Sequence, residues 1–249
     1  MKDQLPKETE MSQASEHYTK GYYWSQRQDS DSTYKVDLVE SLLRKSKVHL
    51  SESVKIAEIG CGQGAFLFPF VRYLYKLKID YQAFGYDISS QAITLAKSRN
   101  SDSKLSFFTG SDESVPTGLD IIFCMDVLEH VENPWEMLRG LSLKSKYVIV
   151  HLPLEHSIGH LFFSTPLKSY ETFKHIHFFS WTTAKLLIKD SPFTLLDYQF
   201  TASTDASLKL GGNFLTRTLR FVRYLLYKSN PDLAVTIGGG SVLLLLEIS

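Results

Sequence analysis

Cysteine is scarce in this 249-residue chain: there are two, Cys61 and Cys124, and no C-x-x-C spacing. That scarcity excludes a disulfide scaffold and a cysteine-bound metal centre, and it suits a reducing compartment. An excess of one charge is missing too, since 27 Lys and Arg balance 27 Asp and Glu. A neutral chain has no general pull toward nucleic acid or acidic lipid, so nucleic acid is not an expected partner. Long apolar runs are also absent. The longest, "VLLLLEI" at 242–248, is far too short to span a bilayer. The polar first residues lack the apolar stretch of a signal peptide. Together these absences lead to the expectation of a cytoplasmic protein with no transmembrane segment. There is no internal repeat and no low-complexity tract.

What is present is enough apolar material, 43% of residues, for a full-sized core. Residues 1–20 are polar and read as a loose tail, leaving 21–249 as one domain. Residues 34–47 place Val36, Val39, Leu42 and Leu43 at helical spacing. Strands are expected at 54–60, 81–89, 104–110, 119–125, 146–154, 193–200 and 241–249. Helices are expected at 64–78, with Pro69 in its early turns, and after a Ser89 or Ser90 cap. Further helices follow Asn133 with Pro134 at the first position, Ser180, and Asn213. Strand and helix alternate from 54 to 154, which calls for an α/β, Rossmann-like sheet, mostly parallel, with helices on both faces. The long connections at 155–180 and 202–240 read as functional insertions. The "IGGGS" stretch at 237–241 reads as a flexible turn.

The chemistry centres on "KIAEIGCGQGAF". Gly60, Gly62 and Gly64 follow a short apolar run that carries Glu58. Such a loop, opening a helix, suits an anionic group brought close to the backbone. Asp87 closes the second strand, Asp112 follows the third in "TGSD", and Asp126 closes the fourth. In a parallel sheet these ends lie side by side, within reach of one elongated adenosine-containing ligand. A nicotinamide dinucleotide is the competing ligand. Its fingerprint sets the third glycine one residue later, where Ala65 stands, and its acid lies about 20 residues on, closer than Asp87.

The segments "EIGCGQGAF", "GYDIS", "FFTGSD" and "CMDVLEHVENPWEML", in that order, resemble class I S-adenosylmethionine-dependent methyltransferases. The resemblance covers roughly residues 34–200 and the final strand. It implies a seven-stranded sheet ending in an antiparallel hairpin, plus lid insertions, with S-adenosyl-L-methionine as cofactor. It also implies that 54–154 forms the cofactor half. Glu58, Gly60, Cys61, Gly62 and Gly64 would hold the methionine end and Asp87 the ribose. Ile88 would flank the adenine, Ser111 and Asp112 would meet its edge, and Met125 and Asp126 would close the pocket. The implied function is methyl transfer to a small-molecule acceptor, with a non-catalytic binding module as the other class.

Six of the eight histidines lie between 130 and 177. His130, His175 and His177 are the catalytic candidates. Helical spacing in "DVLEHV" sets Asp126, Glu129 and His130 on one face. Similar turns hold a metal in ubiquinone-pathway O-methyltransferases and in small-RNA 3′-end methyltransferases; in the RNA group a later histidine completes the site, which His175 or His177 would match here, so metal-assisted transfer is the alternative. No metal is expected here, because Asp126 is shorter than the glutamate of those enzymes. His175 and His177 straddle Ile176 and share one side of an extended segment. Aromatic residues near the start (Tyr18, Tyr22, Tyr23, Trp24) and at 162–181 suit a flat or apolar acceptor. Residues 214–228 interleave Arg217, Arg220, Arg223 and Lys228 with apolar positions. The expected role is packing on the domain, with peripheral membrane contact as the alternative.

Overall fold

The computed structural model describes residues 32–46, 48–162, 165–201 and 214–249. The tail assigned to 1–20 and the aromatics at 18–24 lie outside the described residues. The strands are β1 (Ser53–Ile59), β2 (Asp80–Asp87), β3 (Leu105–Thr109), β4 (Leu119–Met125), β5 (Ser145–Leu154), β6 (Phe193–Thr201) and β7 (Gly240–Ile248). The helices are α1 (Ser32–Lys45), α2 (Leu67–Lys76), α3 (Ser90–Arg99), α4 (Pro134–Ser142), α5 (Ile158–Phe162), α6 (Thr165–Phe173), α7 (Trp181–Lys189), α8 (Phe214–Ser229) and α9 (Pro231–Gly238).

The strands form one sheet in the order β3-β2-β1-β4-β5-β7-β6. β1 through β5 pair in parallel, whereas β7 runs antiparallel to both β5 and β6. Strand order reverses between β1 and β4, so a crevice opens there beyond the carboxyl ends. Period-two alternation divides the core between the two faces. Ile56, Ile121, Phe123, Ile149 and Leu245 pack with Phe70 and Leu74 of α2 and Leu42 of α1. Ala57, Ile122, Cys124, Val148 and Leu246 pack with Leu138 of α4 and Leu187 of α7. Cys124 is wholly buried core, and burial pushes its thiol well up.

Capping behaves as the residue types dictate. Ser89 accepts from the Ala92 N–H at 3.3 Å and Asn133 from the Glu136 N–H at 3.1 Å. Ser180 and Thr183 cap α7 reciprocally. Four features depart from expectation. α2 starts at Leu67 rather than Gly64, because Gly64 has φ of +84° and cannot sit in a right-handed helix. "DVLEHV" is an irregular turn, not a helical one: Asp126 leaves β4 with φ of +58°. The short helices α5, α6 and α9 were not anticipated. Lastly, "IGGGS" is a helix stop rather than a free turn: Gly238 ends α9, Gly239 caps it at φ +67°, and Gly240 opens β7.

Candidate active site

β1 delivers the glycine loop to the crevice. Gly60, Gly62 and Gly64 have φ of +70°, +54° and +84°. A Cβ on Gly60 would lie 2.7 Å from Val127 Cγ2, so this glycine lets the loop sit against the turn that follows β4. Glu58 is buried on β1. The Cys61 N–H donates to the Tyr86 carbonyl at 3.0 Å, and burial pushes its buried thiol well up. That removes it as a nucleophile at neutral pH.

Asp87 joins this loop to the next strand. One of its oxygens accepts from the Gly62 N–H and the other from the Ser89 N–H, each at 2.8 Å. These two bonds hold the acid at the carboxyl end of β2, against the glycine loop. Ile88, directly after it, is 42% exposed, an apolar surface left open beside the acid. Ser111 and Asp112 open the short 3₁₀ turn at Asp112–Ser114, and Lys144 Nζ donates to the Asp112 and Glu113 carbonyls. Burial pushes the Asp112 carboxyl up. Left-handed glycines, a locked acid and an open apolar residue together fit an adenosine cofactor with an anionic tail.

Asp126 lies at the end of β4, after buried Met125. Its carboxylate accepts from Lys35 Nζ of α1 and meets His151 Nδ1 of β5 at 2.5 Å. The other ring nitrogen of His151 bonds Thr201 Oγ1 of β6 at 2.9 Å. Burial works to raise the Asp126 carboxyl, but His151 and then Lys35 outweigh it and hold it well below the usual carboxylate range. Neither Lys35 nor Thr201 carries a local signal for the site, because their partners are distant in the chain.

A second cluster forms beside it. The Glu129 carbonyl accepts from the Ile176 and His177 N–H groups at 2.9 and 3.1 Å, stapling the turn to the segment after α6. His130 Nδ1 donates to the Lys174 carbonyl at 3.3 Å. The His130 and His175 rings meet edge to face with centroids 4.7 Å apart. His175 Nδ1 lies 2.7 Å from Glu155 Oε2, and Ser169 Oγ donates to Glu155 Oε1 at 2.8 Å. Glu129 is fully buried and neither carboxylate oxygen has a hydrogen-bond partner, so burial pushes its carboxyl well up. Donor atoms of Glu129, His130 and His175 all lie within 4.8 Å of one another. Two imidazoles and a carboxylate suit a divalent cation of the transition series. Of the two histidines that the metal alternative offered to Glu129 and His130, it is His175 that joins them, while Asp126 does not. His177 stands apart, its Nε2 3.3 Å from the Glu132 carbonyl. Glu155 was missed by sequence reasoning, which had no local motif to single it out.

Residues 57–144 match the family model described as "Methyltransferase domain". A tRNA U34 carboxymethyltransferase of Helicobacter pylori (strain P12) is 28% identical over 160 residues, 59% of this chain and 56% of that protein. The mitochondrial ubiquinone biosynthesis O-methyltransferase of Schizosaccharomyces pombe is 35% identical over 99 residues, 37% of this chain and 34% of that one. The chain thus spans little more than half the length of the first of these relatives. Among solved structures, magnesium protoporphyrin IX methyltransferase from Synechocystis PCC 6803 with bound SAH superposes with a TM-score of 0.57 at 16% identity, covering 87% of this chain and 83% of that one. Sheet order, glycine loop and strand-end acids agree with these likenesses: residues 57–144 match a methyltransferase domain, and the sheet has the fold of solved methyltransferases.

Proposed function

We propose that the chain transfers a methyl group from S-adenosylmethionine to a small apolar or aromatic acceptor held against His130 and His175. The observation that carries this reading is the Glu155–His175 pair beside buried Glu129, on the turn that Gly60 packs against. The loop residues and Glu58 hold the methionine end, Asp87 the ribose, and Ile88, Ser111 and Asp112 the adenine. Met125 and Asp126 close the pocket. The cofactor supplies an already activated methyl group, so the protein's work is to align the acceptor and exclude water. With its Nδ1 proton directed at Glu155, His175 keeps Nε2 to take a proton from an acceptor that must lose one. His130, held by the Lys174 carbonyl, lines the same pocket, and His177 lies at its rim. A methyl-release screen over phenols, carboxylates, sugars and RNA ends tests this. Turnover with a small acceptor is expected, and His175→Ala should lower kcat by about 10²–10⁴-fold with cofactor affinity within a few-fold. Turnover confined to RNA would replace the acceptor class, and no turnover on any acceptor would point to a binding module.

Two observations favour variants of this reading. The likeness to tRNA U34 carboxymethyltransferases supports an RNA acceptor, which a neutral net charge does not exclude. The unbonded oxygens of Glu129 support a divalent cation held by Glu129, His130 and His175, which would polarise an acceptor oxygen. Activity that survives EDTA would assign the site to histidine alone. Loss on chelation, restored by Mg²⁺ or Mn²⁺, would assign it to the cation.

A further inference from the structure

Hydrogen-bond acceptors converge in the cluster after β4. Glu129 is 0% exposed, and among the described residues neither of its carboxylate oxygens meets a donor. His175 directs its Nδ1 proton at Glu155 Oε2, which leaves Nε2 as an acceptor. His130 Nε2 lies 4.0 Å from Glu129 Oε1. One atom from each of Glu129, His130 and His175 falls within 4.8 Å of the other two. Two neighbouring lysines are engaged elsewhere: Lys35 Nζ donates to Asp126, and Lys174 Nζ stands over the Tyr170 ring, 5.2 Å from its centroid. Burial, then the charges of Asp126 and Glu155, push the Glu129 carboxyl up. A buried carboxyl so placed gains from a cation brought against it. An apolar wall adjoins the cluster, for the Phe173 ring lies 5.6 Å from the His175 ring and Phe173 is 48% exposed.

We propose that the methyl acceptor carries an aliphatic amino group, bound as an ammonium against Glu129 with its apolar body along Phe173. The inference rests on the reading of this cluster as the acceptor side of the site. An ammonium supplies the N–H donors and the positive charge that Glu129 lacks, and one nitrogen serves several acceptors at once. Spacing separates it from a metal ion. Two ligands on one tetrahedral ion, with bonds of about 2.1 Å, stand about 3.4 Å apart, less than the 4.0 Å between Glu129 and His130. Hydrogen bonds of about 2.8 Å from one tetrahedral nitrogen set their acceptors about 4.6 Å apart. An alcohol of the same shape brings one donor and no charge, so it leaves the buried acid without a counter-ion. The site should therefore discriminate amine from alcohol.

Calorimetry of the full chain, treated with EDTA and saturated with the demethylated cofactor, tests it with two probes of one shape, 2-phenylethylamine and 2-phenylethanol. The amine should bind at one site, about tenfold or more tighter than the alcohol. Glu129→Gln keeps the size and removes the charge. It should lose about 10–100-fold in amine affinity while its affinity for the demethylated cofactor stays within a few-fold. The comparison of probes on the wild type needs no variant to fold. Equal affinity for the two probes, no binding of the amine, amine binding only after Mg²⁺ is added, or full amine affinity in Glu129→Gln would overturn the proposal. Failure of the amine alone would leave the cofactor site standing. Failure of the demethylated cofactor to bind would contradict both readings.

Discussion

Asp126 draws together a helix and two strands: Lys35 of α1 and His151 of β5 meet its carboxylate, and His151 passes the network on to Thr201 of β6. With its folded carboxyl held below the ordinary value of 3.8, it contributes stability that is present above that pH and is lost as pH falls toward the folded value. The wild type should therefore lose stability below about pH 4 more steeply than Asp126→Asn, as read from denaturant midpoints across pH 2–7. Parallel slopes would show that the carboxylate gains nothing from its partners in the fold. Asp87 carries a different load. It braces the loop through the Gly62 N–H and is the acid proposed for the ribose. Asp87→Ala should weaken S-adenosylmethionine binding by ~10–100-fold, the worth of one or two charged hydrogen bonds. Unchanged affinity in calorimetry would remove Asp87 from the cofactor site.

Elements that carry their own punctuation were legible in the sequence. Asn133-Pro134 and Ser180 mark helix starts by chemistry local to the chain, and the strands alternate or run apolar according to their burial. The acids at the ends of β2 and β4 were legible for the same reason. What sequence reasoning missed depends on tertiary contact. Lys35 reaches Asp126 across 91 positions, and Glu155 finds His175 only because the segment after α6 returns to the end of β5. The face expected for Asp126, Glu129 and His130 failed because Asp126 adopts a left-handed backbone that breaks helical spacing. Asn230-Pro231 was a readable start for α9, but the glycines that follow read more strongly as a turn. The glycine loop gives the test at this scale. Gly62 has φ of +54°, where a β-branched side chain is strained, and its N–H is fixed on Asp87. Gly62→Val should abolish cofactor binding while circular dichroism and cooperative melting persist. Wild-type affinity in the variant would show that the loop does not face the cofactor.

At the scale of the molecule, sheet order places two kinds of site along one edge. β1, β2 and β3 end in the residues suited to an adenosine cofactor. β4, β5 and the connection after β5 end in the histidine and carboxylate cluster where an acceptor would sit. Among the described residues, no helix is long and apolar enough to cross a membrane. The whole arrangement has one premise, that the crevice between β1 and β4 takes S-adenosylmethionine. Isothermal titration calorimetry of the full chain tests that premise most directly. S-adenosylmethionine and its demethylated product should each bind at one site per chain, and NADH should not bind. Absence of heat with both sulfur compounds, or saturable binding of NADH in their place, would contradict it.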